Sequence, residues 1–334
     1  MAEKRDFLCV DDFSRQEIEN LLELAVKMRK GKPQPLLAGK TLGMLFFNPS
    51  LRTRTSFEVA MYQLGGHCLD ISARSDLYEL EPEEGTVMDG SAAEHLKDAA
   101  QVLSRYLDGL AVRCLPERRD YQKERTDPVI RGYARYASRP VINMESCMGH
   151  PCQAVADLLT MRDKALSLEG RRLTLTWVNH PEPQSMAVPN SVLLAAALFG
   201  MKVTLAHPMG YELDPEIMEK AGKYAAESGG KLDVVHDIQD AVKGAEFVYA
   251  KSWGSIKLWE DKERERLMSR SHQEWIVDRA AMDRTDRAWF MHPLPVRRNV
   301  AVTDDVLDGD RSIVYDQAEN RLHLQKALLV TLLA

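Results

Sequence analysis

Strand-length apolar runs alternate with amphipathic helical stretches along nearly the whole chain, and this alternation restricts the fold more than any other feature. In the first half, 41–47, 66–72, 109–113 and 140–144 read as strands. In the second half, 172–178, 202–206, 232–235, 246–250, 288–291 and 312–315 do so. Between them, apolar residues recur at helical spacing, as in Ile18, Leu21, Leu22, Ala25 and Met28, or Leu96, Ala99, Ala100, Leu103 and Leu107. Ser14–Glu17 and Ser91–Glu94 read as capping boxes that open these two helices. Further helices are expected near 127–137, 151–166, 189–199, 214–227, 237–243 and 317–332. Apolar strands separated by helices predict parallel sheets covered on both faces. The 334 residues leave room for two such cores. The expected architecture is therefore α/β, with two doubly wound parallel-sheet domains. Their bounds are 1–148 and 149–316, with a C-terminal helix at 317–334 packing back on the first.

The 44 basic and 50 acidic side chains leave a net charge of −6, so nucleic acid and anionic membranes are not expected as partners. Any anion site must come from a local cluster of cations. The cysteines are Cys9, Cys68, Cys114, Cys147 and Cys152, an odd number without a C-x-x-C pair. Neither a disulfide framework nor a thiolate zinc site fits, and a reducing, cytoplasmic location is expected. The start, Met-Ala-Glu-Lys-Arg-Asp, is not the opening of a signal peptide, and no apolar run approaches membrane-spanning length.

In doubly wound folds, ligands sit beyond the carboxyl ends of strands, so the residues there carry the chemistry. After 41–47 comes Asn48-Pro-Ser-Leu-Arg-Thr-Arg-Thr-Ser-Phe57. Ser50 suits an N-cap, and Leu51, Arg52, Thr53 and Arg54 follow at the positive end of the helix. Free N–H groups, two guanidiniums and hydroxyls make a phosphate site without glycines. An exposed cationic helix start is the plainer alternative. Arg113 ends the next core strand, and an arginine there, taken alone, is more often a surface ion pair than a ligand-binding group. Glu145 ends strand 140–144, and His150-Pro-Cys-Gln153 opens the following helix. Pro151 suits the first helical position. His150 and Gln153, three apart, can face one side and grip a planar amide-like group, or simply cap the helix. Lys251-Ser-Trp-Gly254 and His292-Pro-Leu-Pro-Val-Arg-Arg-Asn299 follow two later strands. The Pro-Leu-Pro run leaves carbonyl oxygens unpaired and suited to an amine. Arg297 and Arg298 add cations there.

Taken together, S-x-R-T-R, an arginine after the next core strand, H-P-x-Q and H-x-L-P followed by arginine resemble the aspartate/ornithine carbamoyltransferase family. The likeness in order and spacing runs over nearly the whole chain. Within the family, FFNPSLRTRTSFE, VINMES, HPCQ, YAKSWG, LPVRRNV and AENRLHLQKA are similar to the N-acetylornithine and N-succinylornithine branch. The resemblance implies a carbamoyl phosphate-binding domain over 1–148 and an acyl-ornithine-binding domain over 149–316. It implies a cytoplasmic homotrimer with active sites between subunits, acting in arginine biosynthesis. It assigns Ser50, Leu51, Arg52, Thr53, Arg54, Tyr78, Arg113, His150, Gln153 and Arg297 to carbamoyl phosphate. It assigns Ala93, Glu145, Ser185, Lys251, Pro293, Leu294 and Arg297 to the acyl-ornithine. Thr53, Arg113, His150 and Gln153 are the implied catalytic groups. Such a transfer needs no metal, cofactor or covalent nucleophile, because phosphate is already a good leaving group and positioning with charge stabilisation suffices.

Several positions depart from the branch pattern. The usual His-Cys-Leu-Pro is His292-Pro-Leu-Pro295 here, so no thiol stands at 293. Tyr78 stands at the position of a tryptophan that reaches a neighbouring subunit, Ala301 at that of a lysine, and Ala93 at that of a glutamate. No S-M-G follows Trp253, which argues against free ornithine as acceptor. The alternatives are transfer to free ornithine or another amine, a silent carbamoyl phosphate-binding paralogue, and a generic nucleotide-binding α/β protein. The last lacks any G-x-G-x-x-G or P-loop support.

Overall fold

The computed structural model describes residues 4–334, so the first three residues of the charged start lie outside it. The chain divides into two compact units, one of residues 1–117, 122–152 and 321–334, the other of 118–121 and 153–320.

In the first unit, α1 (Arg15–Lys30) opens at Ser14, whose side chain accepts from the Glu17 N–H while Glu17 reaches back to the Ser14 backbone. The elements that follow are β1 (Thr41–Phe46), α2 (Leu51–Gln63), β2 (His67–Ser72), β3 (Leu80–Glu81), β4 (Glu94–His95), α3 (Leu96–Tyr106), β5 (Gly109–Arg113), α4 (Tyr121–Glu124, of which Tyr121 counts with the second unit), α5 (Pro128–Tyr136), β6 (Val141–Glu145) and the start of α6 (Pro151–Lys164), which passes into the second unit at Gln153. The order β2-β1-β5-β6 is parallel throughout. The chain leaves β1 in one direction to β2 and in the other to β5, so the switch point lies between β1 and β5. Leu45, Leu110, Val112 and Val141 from the sheet pack with Leu96 and Ala100 of α3 and with Ile130 and Tyr133 of α5. The capping box expected at Ser91–Glu94 is not formed. Glu94 and His95 instead pair with Leu80 and Glu81, and the His95 ring accepts from the Lys97 N–H at 3.0 Å as the true cap of α3.

The second unit carries β7 (Arg172–Thr176), α7 (Ala187–Leu198), β8 (Lys202–Ala206), α8 (Pro215–Ser228), β9 (Lys231–Val235), α9 (Ile238–Ala241), β10 (Phe247–Ala250), α10 (Lys262–Arg270), α11 (Arg279–Asp283), β11 (Trp289–Met291), α12 (Asp304–Leu307) and the start of α13 (Val314–Leu333). Its sheet, β11-β10-β7-β8-β9, is also parallel, with the switch between β7 and β10. Every residue of α7 from Ala187 to Ala197 is buried, Asn190 and Ser191 included, as a helix apolar on nearly every side requires. The strand expected over 312–315 is absent. Ser312 makes a single bridge to Phe290, and α13 has begun by Val314. No helix among the described residues is long and apolar enough to cross a membrane. Both units are thus doubly wound parallel sheets.

Candidate active site

In the first unit, the carboxyl ends of β1, β5 and β6 carry the expected groups side by side. The register sets Phe46 beside Arg113 and Arg113 beside Glu145. Just beyond β1, Ser50 caps α2, its hydroxyl accepting from the Thr53 N–H at 3.4 Å. Leu51 and Arg52 then present their N–H groups at the positive helix end. Arg52 is half-buried and has no carboxylate partner among the described residues. Burial and then the nearby charge of Arg113 lower its pKa. A half-buried guanidinium without a carboxylate partner is chemically suited to an anion. Thr53 is buried, and its hydroxyl accepts from Arg321 Nη2 at 3.2 Å.

Arg54, expected at the phosphate, is turned elsewhere. Its guanidinium pairs with Asp70 and lies 4.2 Å over the Phe46 ring. The neighbouring strand β2 supplies that carboxylate, which sequence spacing alone does not reveal. Arg113 is paired with Glu145, whose Oε2 also lies 3.7 Å from His150 Nε2. The Arg113 Nε is buried without a hydrogen bond, so this guanidinium keeps one donor unused. Beneath His150, the Asp127 carboxylate accepts from Ser146 Oγ at 2.7 Å and from the Cys147 N–H at 2.8 Å. Asn143 Nδ2 donates to the Gly149 carbonyl at 3.2 Å. These bonds fix the turn that aims His150.

Tyr78 is 73% exposed, and Ala93 is exposed with its N–H donating to the Glu79 carbonyl at 3.2 Å. No hydrogen bond among the described residues joins either of them to Ser50–Arg54, Arg113 or His150.

In the second unit, Gln153 turns its amide along α6, donating Nε2 to Asp157 Oδ1 at 2.8 Å. Lys251 follows β10, its N–H bonded to the Thr176 carbonyl at 3.0 Å. His292 is buried, and its pKa is lowered to about 3, first by burial and then by the Lys251 charge. Its Nδ1 donates to the Pro293 carbonyl at 2.9 Å. One lone pair of that carbonyl is therefore already engaged, and the Leu294 carbonyl is the stronger candidate for an incoming amine. Arg298 is neutralised by Asp304 and Asp308, both at 2.7 Å, which leaves Arg297 as the cation of that loop able to meet a substrate. Arg297 Nε donates to His180 Nε2 at 3.4 Å. His180, 2.7 Å from the Glu182 carbonyl through Nδ1, has its pKa lowered to about 4 by burial and, further, by Lys251 and Arg297. It is neutral at physiological pH, which suits an acceptor from arginine. Ser185 Oγ accepts from the Ala187 N–H at 3.1 Å and so serves the start of α7.

Three residues bonded to the candidate groups escape sequence reasoning. Arg321 and Asp157 lie within helices, and His180 lies in the segment after β7. The strand-end position of His180 and the AENRLHLQKA motif around Arg321 were the available signals.

Comparison with known proteins decides the family. The carbamoyl-P binding domain model of aspartate/ornithine carbamoyltransferases matches residues 5–163, and the Asp/Orn binding domain model matches 173–332. The chain belongs to the aspartate/ornithine carbamoyltransferase family. A family member from Xanthomonas campestris pv. campestris, N-acetylornithine carbamoyltransferase, is 44% identical over 331 residues, 98% of this chain and 97% of that one. The ornithine carbamoyltransferase of Thermococcus kodakarensis is 40% identical over 331 residues, 97% of this chain and 95% of that one. Among solved family structures, acetylornithine transcarbamylase complexed with acetylcitrulline has a TM-score of 0.96 at 44% identity, covering 98% of this chain and 99% of that one. A variant of such an enzyme with one glutamate substituted, complexed with carbamyl phosphate and N-succinyl-L-norvaline, is equally similar, at 0.96, 44%, 98% and 99%.

Proposed function

We propose that this chain transfers the carbamoyl group of carbamoyl phosphate to the δ-amine of an N-α-acylated ornithine, giving the acyl-citrulline and phosphate, a step of arginine biosynthesis. The observation that carries this reading is the half-buried Arg52 set beside Arg113 at the capped start of α2, a site that calls for a small anion. The activity of the 44%-identical Xanthomonas relative, matched over 98% of the chain, supplies the chemistry.

The N–H groups of Leu51 and Arg52, the Ser50 and Thr53 hydroxyls, and the Arg52 and Arg321 guanidiniums hold the phosphate. Arg113 and His150 donate to the carbamoyl oxygen, most strongly as the carbon becomes tetrahedral and the oxygen gains charge. Gln153 reads the carbamoyl amide. The Leu294 carbonyl, with Pro293, orients the neutral δ-amine. Lys251 and Arg297, steadied by His180, take the carboxylate of the amino acid. Nitrogen attacks the carbamoyl carbon, the C–O bond to phosphate breaks, and the amine proton passes to a phosphate oxygen. No other acid or base is required.

The acyl group is read as succinyl or acetyl, since Ala93 stands where the acetyl enzymes carry a glutamate by resemblance. The exposed Tyr78 and Ala93 have no role in their own unit's core, which supports a homotrimer whose subunits share sites. Five free thiols suit a cytoplasmic location. The test is purified enzyme with carbamoyl phosphate and, in parallel, ornithine, N-acetylornithine and N-succinylornithine, scored for ureido product. Product from the acylated amines alone is expected. Turnover restricted to free ornithine would move the assignment to the ordinary ornithine enzymes, and no product from any amine would overturn it.

A further inference from the structure

Asp157 is fully buried in the second unit and joins the two motifs that flank the reaction. Its Oδ1 accepts from Gln153 Nε2 at 2.8 Å and from Gln317 Nε2 at 2.8 Å. Its Oδ2 accepts from the Tyr249 hydroxyl at 2.8 Å. Gln317 in turn accepts the His292 N–H on Oε1 at 3.1 Å. An ionised carboxylate can only accept, so it sets the orientation of both glutamine amides. Gln153 must point its nitrogen at Asp157. Gln317 must do the same, which turns its oxygen toward the backbone N–H of His292. A chain polarised from one charged end is stronger than its separate links.

We infer that Asp157 is a positioning residue shared by the two half-reactions. One oxygen fixes the side chain that reads the carbamoyl group, and through Gln317 the same oxygen fixes the His292–Leu294 loop that receives the amine. This rests on the proposed transfer to an acylated amine, which wild-type turnover tests on its own. Asp157 touches no reacting atom in this scheme. Its effect is geometric, and a displacement of about 1 Å in a positioned group can cost about 10²-fold in rate.

The two oxygens have different tasks, which makes the inference testable. In Asp157→Asn, Oδ1 can still face both glutamines while the new NH₂ donates to the Tyr249 hydroxyl, so turnover within about tenfold of wild type is expected. Asp157→Leu keeps the branched outline, adds some volume and removes both acceptors. It should lower kcat about 10²-fold and raise KM for both substrates. Gln317→Leu cuts only the amine-side branch. It should raise KM for the acyl-ornithine about tenfold while calorimetry shows carbamoyl phosphate affinity unchanged. Tyr249→Phe removes a buried hydrogen bond of similar kind and should lower Tm while leaving kcat and both KM values within about threefold. If activity simply follows Tm across the four variants, the role is structural and the inference fails. Should Asp157→Leu not fold, an acyl-ornithine KM unchanged in Gln317→Leu overturns the inference, and the selective rise supports it. Absence of turnover in the wild type overturns the transfer and the inference together, whereas variant effects bear on Asp157 alone.

Discussion

Arg113 and Glu145 stand opposite each other in the β5–β6 register, and their side chains form an ion pair that is almost wholly buried. The same carboxylate lies 3.7 Å from His150 Nε2, so a single acidic group stands next to both donors expected at the carbamoyl oxygen. Arg113→Ala should lower kcat by about 10²–10³, the usual cost of one lost oxyanion donor. It should also destabilise the fold, because Glu145 is left buried without its cation. The double variant Arg113→Ala/Glu145→Ala separates the two effects. Thermal melts should recover, while ureido product formation stays low. Near-wild-type turnover in either variant contradicts the assignment of Arg113.

Arg321 reaches Thr53 across 268 residues of sequence, which fastens the last helix to the start of α2. A hydrogen bond with a charged partner contributes about 1.5–3 kcal/mol. Arg321→Leu should therefore weaken carbamoyl phosphate binding about 10- to 100-fold by calorimetry. An unchanged affinity accompanied by a lower Tm means that the contact only braces the helix.

How far a feature can be read from sequence tracks how local its cause is. Ser14 and Ser50 cap through contacts three residues away, and both are found where spacing predicts them. Ser91–Glu94 has equally good local chemistry, but Glu94 is taken into a bridge with Leu80, a partner that spacing cannot supply. The 312–315 run has strand composition, yet only Ser312 finds an edge before the helix begins. Arg54 is where the structure adds most at the site. Its position at a helix start points to phosphate, and only the folded β2 strand brings Asp70 to it. Asp157 is silent in sequence for the same reason, since its partners come from three separate elements.

Asp127 should make stability depend on pH in a defined window. Burial pushes its carboxyl up to about 6, against the lowering effect of its hydrogen bonds to Ser146, Cys147 and Met148. A carboxyl with a raised folded pKa gives its full stabilisation below the unfolded value of about 3.9 and loses it as pH rises through the folded value. Asp127→Asn does not titrate. The stability of wild type minus variant, measured by urea melts, should therefore fall between about pH 4 and pH 6 and level off above that. A difference independent of pH across this window removes Asp127 from the account.

His180 titrates in the opposite sense. Its pKa is lowered to about 4, chiefly by burial and further by Lys251 and Arg297. A depressed histidine gives full stabilisation above its unfolded pKa of about 6.5, and this is lost as pH falls through the folded value. NMR of the imidazole nitrogens should show one neutral tautomer from about pH 8 down to about pH 5.5. Arg297→Ala removes a nearby positive charge and should raise the midpoint. A His180 that titrates near 6.5 in the wild type would break the proposed Arg297–His180 contact at mildly acidic pH.

Ala93 bears on the choice of acyl group. By resemblance its counterpart in acetylornithine enzymes is a glutamate, and a carboxylate there would face the distal carboxylate of a succinyl group. At about 4 Å two like charges cost on the order of 1–4 kcal/mol, depending on the local dielectric. Ala93 removes that repulsion and adds room, and Ala301, in place of a lysine, removes a long side chain from the same region by resemblance. The loss of that lysine also deprives a succinyl carboxylate of one cation, so the two changes partly oppose each other. Relief of like-charge repulsion at Ala93 and the gain in space should outweigh the lost cation. N-succinylornithine should therefore be turned over at least as well as N-acetylornithine. Ala93→Glu should lower kcat/KM for the succinyl substrate about 5- to 1000-fold and leave that for the acetyl substrate within a fewfold. A wild type that ignores N-succinylornithine while using N-acetylornithine well would overturn this reading of the pocket and leave the transfer chemistry standing.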